Sequence, residues 1–188
     1  MRLNLSLSKL VIAAIIVFGL AGCANDYQWR KLDTEYRNRP YKFSMTFPDG
    51  WMSRSFSPES GYYLEAQSPA VSSSKGLRLA SYTIHIYETK VTTPPQPSMS
   101  KNFKKTGEGK IMIGGFEAVW ITYNILVDDK MTKSLNNSGF VSYGPHKVYT
   151  IVRPPRLFRI TFAATDENTY RDHIQVFDNT VHSLQFWE

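Results

Sequence analysis

Residues 41–51 carry the sequence YKFSMTFPDGW, and the predicted class of fold depends on this stretch. Large apolar side chains stand at every second position of its first part: Tyr41, Phe43, Met45 and Phe47. This period of two is typical of a strand with one buried face. Pro48 cannot continue a strand ladder and Gly50 tolerates a positive φ, so a turn is predicted directly after the strand.

Further strands are predicted along the rest of the chain, between segments rich in Gly, Pro, Ser and Asn. They cover residues 51–57, 62–67, 77–88, 110–113, 116–127, 139–143, 147–152 and 157–164. A change of the buried face between Leu79 and Tyr82 predicts a bulge, and Gly114 with Gly115 predicts a hairpin or a further bulge. A short helix is predicted over residues 99–106.

The clearest helix is predicted near the C-terminus. Its apolar residues recur at steps of four, three and four positions: Tyr170, Ile174, Phe177 and Val181. Such spacing puts them on one face of an amphipathic helix, and Thr165 or Asp166 can cap its start. Polar residues are expected on its solvent side: Arg171, Asp172, Gln175 and Asp178. Residues 184–187 are expected to form a short extended tail over the edge of the core.

Residues 1–22 are predicted to be a signal peptide that is removed from the mature protein. Arg2 and Lys9 give it a positive start, and residues 10–20 (LVIAAIIVFGL) form an apolar run of eleven. A membrane-spanning helix needs about 20 apolar residues, so this run has the length found in signal peptides. The run lacks a polar face, which argues against a helix of the folded core.

The apolar run ends in Leu20-Ala21-Gly22-Cys23, which resembles the lipobox of bacterial lipoproteins. The resemblance implies cleavage after Gly22, a diacylglycerol thioether on the Cys23 sulfur and acylation of the new amino group, for instance by palmitate. Two or more acyl chains hold a protein stably on a membrane, whereas one holds it only marginally. Because Cys23 is the one cysteine of the sequence, an intramolecular disulfide and a multi-cysteine zinc site are excluded.

The residues after the cysteine bear on location and charge. An Asp directly after the acylated cysteine typically retains a Gram-negative lipoprotein in the inner membrane, whereas here Ala24 follows and Asp26 comes later. The resemblance therefore implies the periplasmic face of the outer membrane, if the source is Gram-negative. Loss of Arg2 and Lys9 with the signal peptide lowers the net charge from +6 to +4. This mild excess suits a domain near anionic lipid and does not argue for nucleic-acid binding.

The mature chain is predicted to have two parts. Residues 23–40 form the lipidated N-terminus and a polar tether with an r.m.s. reach of about 20 to 25 Å, and residues 41–188 form a single α+β domain. A short helix over residues 28–36 is an equally good interpretation of the first part, because three large side chains follow helical spacing: Trp29, Leu32 and Tyr36.

Three short motifs in this order resemble the PsbP-like fold. They are residues 47–51 (FPDGW) after the first strand, residues 113–118 (IGGFEA) before a long strand, and residues 158–163 (FRITFA) before the last helix. The fold includes the photosystem II extrinsic protein, the Ran-binding Mog protein and bacterial DcrB-type lipoproteins. The resemblance implies an α+β domain in which helices flank an antiparallel sheet. The group has no shared catalytic site, so no functional residue is implied.

Candidate catalytic and metal-binding residues do not form a recognisable set. The four histidines stand at no metal-ligand spacing: His85, His146, His173 and His182. Asp178 and His182 are four positions apart on the last helix, where an exposed ion pair is favoured over a metal site. Asp128 and Asp129 favour a polar turn over a calcium loop, and Gly114 with Gly115 lacks the context of a phosphate loop.

Two surface features have both a functional and a structural interpretation. One is a basic patch of four lysines around Phe103, namely Lys101, Lys104, Lys105 and Lys110. A solvated helix face is preferred for it over contact with anionic headgroups. The other is Tyr62 with Tyr63, which form either an exposed binding tip or an ordinary strand pair with one ring on each face.

The sequence thus favours a non-enzymatic envelope lipoprotein over an enzyme. In this interpretation the domain is a binding or accessory module, held on the membrane by lipid at Cys23, with an envelope protein as its partner. No cofactor, metal or nucleic acid is expected. The alternatives are a hydrolase with an unrecognised active site and a surface adhesion or uptake factor. A pocket with converging histidine and carboxylate side chains would favour the hydrolase.

Overall fold

The computed structural model describes residues 28–57, 61–69, 80–95, 103–126 and 144–188 of the 188-residue chain. These residues form eleven strands and one helix. The strands are β1 (Arg30–Lys31), β2 (Glu35–Asn38), β3 (Phe43–Thr46), β4 (Met52–Phe56), β5 (Gly61–Gln67), β6 (Ala80–Glu88), β7 (Phe103–Ile113), β8 (Phe116–Ile125), β9 (His146–Arg153), β10 (Arg156–Ala164) and β11 (Gln185–Phe186). The helix, α1 (Glu167–His182), lies between β10 and β11 in the chain.

Two antiparallel sheets make up the described part of the chain. Eight strands form the large sheet in the order β1-β4-β5-β6-β10-β9-β8-β7, and three form the small sheet in the order β11-β3-β2. The prediction of an α+β domain with a sheet flanked by helices is therefore wrong, because this part is mostly β and contains α1 alone as a helix. No helix of the described ranges is long and apolar enough to cross a membrane.

The short helix predicted over residues 99–106 accounts for part of this error. Residues 99–102 lie outside the described ranges, and Phe103 to Thr106 belong to β7. β7 pairs with β8 from Phe103 opposite Ile125 to Ile113 opposite Phe116, with a bulge between Lys105 and Gly107. Because the long hairpin supplies a strand partner for every residue around the bulge, pairing with β8 outweighs the local helix pattern.

Most of the predicted strands are confirmed. Residues 51–57, 62–67, 147–152 and 157–164 correspond to β4, β5, β9 and β10. The predicted hairpin between β7 and β8 turns at Gly114 and Gly115, whose φ angles of 56° and 85° require glycine-like freedom. The bulge predicted between Leu79 and Tyr82 is not found over the described part of that stretch, because Ala80 to Tyr82 pair with β10 without a register shift. Leu79 itself and the strand predicted over residues 139–143 lie outside the described ranges.

One face of the large sheet, here called the inner face, carries the core. Alternate residues of neighbouring strands meet on it in register, as in the row of Ile84, Ile160 and Tyr149. α1 packs on this face through Phe177 and Val181, which are fully buried. The predicted apolar face of the helix is thereby confirmed. Its start is capped by Asp166, whose carboxylate accepts a hydrogen bond from the Thr169 N–H at 2.9 Å.

The small sheet covers the inner face beside the helix and ties both ends of the domain together. Phe43 of β3 lies 5.6 Å from Phe158 of the large sheet, measured between ring centroids. Phe186 of β11 contacts the same ring from a distance of 4.9 Å. In the tail predicted over residues 184–187, Gln185 and Phe186 therefore form β11, and Leu184 directly before them is buried.

Residues 28–40 belong to this folded unit. Neither the tether nor the helix predicted for them is found, because β1 pairs with β4 of the large sheet and β2 pairs with β3 of the small sheet. Leu32, between the two strands, is buried, and its N–H donates to the Trp51 carbonyl at 2.8 Å. Of the three side chains that suggested a helix, Leu32 is thus buried while Trp29 and Tyr36 are half-buried, next to strands that are too short to show a period of two.

Candidate functional site

A buried ion pair joins α1 to the inner face of the large sheet. Lys147 of β9 donates from its ammonium group to both carboxylate oxygens of Asp178, at 2.8 and 2.7 Å. The Tyr149 hydroxyl donates to the same carboxylate at 3.0 Å. The side chains of Lys147 and Asp178 are only 11% and 21% exposed. Burial, followed by the Asp178 charge, raises the pKa of Tyr149, so Tyr149 acts here as a neutral donor.

The prediction for Asp178 is corrected by this contact. Asp178 lies at the edge of the buried helix face and not on its solvent side, and its ion-pair partner is Lys147 rather than His182. His182 is exposed, and its ring lies 6.4 Å from that of Tyr149. The sequence contained a sign of this arrangement, because strand alternation places Lys147 on the same face as Tyr149 and Ile151.

An indole ring lies beside this ion pair. The Lys147 ammonium group is 5.1 Å from the centroids of both Trp120 and Tyr149, within the range of a cation–π contact. Trp120 stands opposite Gly109 of β7, and a Cβ at that glycine would come within 2.7 to 2.8 Å of the indole. The missing side chain therefore allows the ring to lie flat across the edge strand. Together these contacts clamp the helix to the sheet.

A second charged cluster occupies the opposite, outer face of the large sheet. Arg54 of β4 contacts Glu65 of β5 twice, at 2.8 Å from Nε and 2.7 Å from Nη2. Gln67 donates to the other carboxylate oxygen at 2.9 Å, and the Tyr63 hydroxyl donates more weakly at 3.4 Å. Burial, then the Glu65 charge, raises the pKa of Tyr63 to about 12. Both oxygens of Glu65 are thus engaged in structural contacts.

His85 lies next to this cluster on the outer face. Its ring is 4.5 Å from the Tyr63 ring, and its Nδ1 is 2.6 Å from the Tyr87 hydroxyl. Nε2 is buried without a hydrogen-bond partner in the described structure. Burial, followed by the Arg159 charge, lowers the pKa of His85 and favours the neutral ring. A neutral His85 can offer one hydrogen bond through Nε2.

Two further histidines make local contacts that explain their positions. His146 Nδ1 is 3.0 Å from the Gly144 carbonyl, and its ring stacks on Tyr123 at 5.1 Å. Burial lowers the pKa of His146, while the contact with Gly144 opposes this shift. His173 Nδ1 is 3.0 Å from the Thr169 carbonyl, one turn earlier in α1. The described residues contain no group of three side chains that would bind a metal; Cys23, Asp128 and Asp129 lie outside them.

The tyrosine pair and the lysine patch predicted at the surface both have structural roles. Tyr62 points into the core, where its hydroxyl contacts that of Tyr36, whereas Tyr63 points outward, so the strand-pair interpretation is confirmed. The predicted lysine patch lies on a strand and not on a helix. Two of its lysines are neutralised there, since Lys105 pairs with Glu108 at 2.7 Å and Lys110 pairs with Glu117 at 3.0 Å. Lys101 lies outside the described ranges.

A different basic surface is formed where β9 turns into β10. We call it the basic end, and it consists of five residues: Arg39, Lys42, Lys90, Arg153 and Arg156. Arg153 donates to the Trp187 carbonyl at 2.7 Å and to the Lys42 carbonyl at 3.4 Å. Arg156 donates to the Pro40 carbonyl at 3.3 Å and lies over the Tyr41 ring. Backbone carbonyls and rings thus hold both guanidinium groups.

The charges of the basic end are not compensated by ion pairs within the described ranges. Sequence reasoning missed this surface because its residues come from the β2–β3 turn, the segment after β6 and the β9–β10 turn, which are far apart in sequence. On the outer side of the small sheet, a polar cavity of about 140 Å³ is open to solvent. Its lining consists of Glu35, Arg37, Ser44, Met45, Thr46, Ser183 and Gln185. It offers hydrogen bonds from several side chains but no converging catalytic pair.

Comparison with known proteins supports the fold. No protein-family profile matches the sequence, and no curated protein is significantly similar to it. The solution structure of cyanobacterial PsbP (CyanoP) from Synechocystis sp. PCC 6803 superposes with a TM-score of 0.52 at 11% identity, over 88% of this chain and 96% of CyanoP. The domain is therefore PsbP-like in fold, as its motifs suggested.

Two other solved structures are similar. A protein from Bacteroides thetaiotaomicron superposes with a TM-score of 0.50 at 10% identity, over 82% of this chain, which spans about half (48%) of that protein. LpqN of Mycobacterium tuberculosis, involved in cell envelope biogenesis, gives a TM-score of 0.48 at 12% identity, over 90% of this chain and 97% of LpqN. Similarity at this level concerns the fold and does not extend to function.

Proposed function

We propose that this protein is a lipid-anchored envelope lipoprotein that acts by binding another envelope component and not by catalysis. The proposal begins with the sequence Leu20-Ala21-Gly22-Cys23, in which a lipobox follows an apolar run of signal-peptide length. Acyl chains on the mature N-terminus would hold the domain on one membrane surface. With Ala24 after the cysteine, this surface would be the periplasmic face of the outer membrane in a Gram-negative cell.

The observation that carries the proposal is the short distance in sequence between the lipobox and the fold. Cys23 stands seven positions before Arg30, where β1 already pairs with β4. An anchor so close to a packed domain would fix the domain beside the bilayer and raise its concentration near any partner in the same membrane. Such positioning benefits a binding module directly.

The use of the charged side chains also supports a binding role. Lys147 and Asp178 are saturated by each other and by Tyr149, and Glu65 is held by Arg54 and Gln67. A catalytic base or nucleophile must have an atom available for the substrate. The buried charges of this domain instead connect its helix and strands. The PsbP-like fold is compatible with the proposal but does not identify a partner.

The anchor is tested by mass spectrometry of the mature N-terminus. The wild-type protein is expected to begin at Cys23 and to carry acyl mass there, whereas Cys23→Ser should accumulate as an uncleaved precursor. Ala24→Asp is the matched control for sorting, since it should keep the acyl mass and move the protein to the inner membrane. A mature protein that begins elsewhere without acyl mass would contradict the proposal.

The binding role is tested with whatever phenotype follows deletion of the gene. A soluble version exported with an ordinary signal peptide is compared with alanine substitutions at the four histidines: His85, His146, His173 and His182. We expect loss of the anchor to impair function more than any of these substitutions does. Full activity of the soluble version, with loss of activity in one stable histidine variant, would instead support the hydrolase.

A further inference from the structure

We propose that the basic end of the domain rests on anionic phospholipid headgroups of the bilayer that holds the acyl chains of Cys23. The inference depends on the proposed lipidation and adds an orientation to it. Three independent observations point to this surface: its uncompensated charge, the direction in which the chain enters the fold, and the distribution of charge between the two ends of the domain.

The first observation is charge that is available to a ligand. Arg39, Lys42 and Lys90 are exposed, and neither they nor the two arginines of the β9–β10 turn form an ion pair within the described ranges. The carboxylates at the same end are those of Glu88, the C-terminal Glu188, and Glu117, which pairs with Lys110. The five cationic side chains outnumber these acidic groups, which favours an anionic partner surface.

A tryptophan accompanies these charges. Trp187 is 36% exposed, and its backbone is fixed by two contacts. Its N–H donates to the Lys42 carbonyl at 3.3 Å, and its own carbonyl accepts from Arg153 at 2.7 Å. Indole side chains are enriched at the level of lipid headgroups, where an amphipathic ring is favoured. The combination of Trp with Lys and Arg is therefore suited to a membrane surface.

The second observation is the direction of β1. Arg30 pairs with Ser53 and Lys31 pairs with Met52, so the chain before Arg30 runs alongside β4 from Ser53 toward Phe56. The contact of Arg54 with Trp29, at 4.9 Å from the ring centroid, follows the same direction. β4 pairs with β5, β5 with β6, and β6 with β10. Through these pairings, the end of β4 at Phe56 lies at the same end of the sheet as Glu88, which stands opposite Arg156. The N-terminus therefore points toward the basic end.

Chain length allows the anchor to reach that level. Gln28 stands two positions before Arg30, in line with Ile84 of β6 when the register of the sheet is continued. Ile84 is four residues before Glu88, so Gln28 lies about 13 Å from the row of Glu88 and Arg156. Five residues join Cys23 to Gln28 and can span up to about 17 Å, whatever their conformation. The acylated cysteine can thus lie at the basic end but cannot move far from the domain.

The third observation is the balance of charge at the other end of the domain. Four acidic residues gather there, near the start of β4, the end of β10 and the start of α1: Asp33, Asp49, Asp166 and Glu167. Lys31 contacts Asp49 at 3.8 Å, and Arg171 follows Glu167 by one turn of α1. Lys104 and Lys105 lie at the same end, since Lys105 stands opposite Tyr123 and Tyr123 opposite His146. The acidic residues offset these basic ones, so an anionic bilayer would attract this end less strongly than the basic end.

The orientation can be measured by energy transfer from the domain to the bilayer. A fluorescent label is placed at Glu188→Cys in one variant and at Asp49→Cys in another, so that each variant loses one exposed carboxylate. Cys23 is the chain's one cysteine, and its thioether would leave the introduced thiol as the one available for labelling. The lipidated proteins are reconstituted into phosphatidylcholine vesicles, with or without phosphatidylglycerol, that contain a headgroup-linked acceptor.

We expect higher transfer from position 188 than from position 49 when phosphatidylglycerol is present, and a smaller difference at high salt. Each basic residue near an anionic surface contributes about fivefold to partitioning. Reversing the three exposed charges with Arg39→Glu, Lys42→Glu and Lys90→Glu should therefore abolish the difference. The matched control reverses three lysines of β7 instead, Lys104, Lys105 and Lys110, and should preserve it.

Equal transfer from both positions, higher transfer from position 49, or a difference that does not depend on phosphatidylglycerol would overturn the proposed orientation. These results are distinct from a failure of the proposed anchor. The acyl mass on Cys23 is measured on the same samples, and its absence would contradict the lipidation itself. If the protein is acylated but oriented otherwise, the proposed function stands and the proposed orientation is contradicted.

Discussion

Lys147 and Asp178 form a bidentate ion pair between the centre of the large sheet and the one described helix. The two residues are 31 positions apart, and Tyr149 and Trp120 surround the ammonium group. A charge at this depth costs free energy unless it is paired, so each partner depends on the other. The first prediction follows from this dependence.

Removal of one partner of the ion pair should destabilise the fold more than removal of both. We expect Asp178→Ala to lower the free energy of unfolding by about 3 kcal/mol, because it leaves the Lys147 ammonium group enclosed without its counter-ion. The double variant Lys147→Met with Asp178→Ala should recover part of this loss. Urea denaturation of both single variants and the double variant measures the coupling, and additive effects would contradict a tightly paired contact.

The buried face of α1 provides the second prediction. Phe177→Ala should cost about 3–5 kcal/mol, since it removes a fully buried ring and leaves a cavity between the helix and the sheet. Gln175→Ala, on the exposed side of the same helix, should change stability by less than about 0.5 kcal/mol. Thermal denaturation distinguishes the two, and similar small shifts for both would show that the helix packs through another face.

The third prediction concerns the glycine under Trp120. Gly109→Ala would place a Cβ within 2.8 Å of the indole, and we expect the resulting overpacking to cost about 1–3 kcal/mol. The neighbouring Glu108→Ala is the control, because Glu108 is exposed on the same strand. Fluorescence of Trp120 should also change in the Gly109 variant. A Gly109→Ala variant with native stability and emission would mean that the ring moves aside freely.

The fourth prediction is a dependence of stability on pH. Burial lowers the pKa of His85 and His146 below the ordinary value of 6.5. The unfolded chain therefore takes up protons more readily, so stability should fall as the pH drops below about 6.5 and through the folded pKa values. Replacing both histidines by Gln should flatten this part of the profile, whereas His182→Gln should not. An unchanged profile after the double substitution would exclude these histidines as its cause.

The elements that sequence could predict are those with a local pattern. β10 alternates apolar and polar residues from Phe158 to Phe162, and α1 repeats its apolar residues at helical spacing from Tyr170 to Val181, about three turns. Both were predicted with nearly correct bounds. Glycine at positions 114 and 115 likewise marked the β7–β8 turn, because both residues have a positive φ. Such features need no knowledge of distant parts of the chain.

β1, β2 and the first half of β7 could not be predicted in this way. β1 and β2 have two and four residues, too few for a period of two to appear. In β7, Gly107 and Gly109 weaken the strand pattern. They leave the space that the side chains of Trp120 and Thr122 on the neighbouring strand occupy. Cross-strand packing decides their conformation, and it is not visible in a single segment.

The candidate surfaces were missed for a related reason. The Lys147–Asp178 pair joins a strand to a helix, and the basic end combines residues from the β2–β3 turn, the β9–β10 turn and the segment after β6. Strand alternation placed Lys147 on the face of Tyr149 and Ile151 but did not identify Asp178 as its partner, and sequence spacing carried no signature of the basic end. By contrast, the lysines near Phe103 are close together in sequence and were predicted as a patch, although Glu108 and Glu117 neutralise two of them.

The pairing of β3 with β11 determines when the small sheet can close during synthesis. The Thr46 N–H donates to Ser183 Oγ across 137 positions of sequence, and Phe43 meets Phe186 in the same small sheet. A polypeptide that emerges N-terminus first therefore presents β3 long before its partner has been made. Phe43 stays without its neighbour Phe186 until β11 has been made. β3 therefore keeps one strand edge unpaired until Gln185 and Phe186 have left the ribosome, and the small sheet closes only at that point.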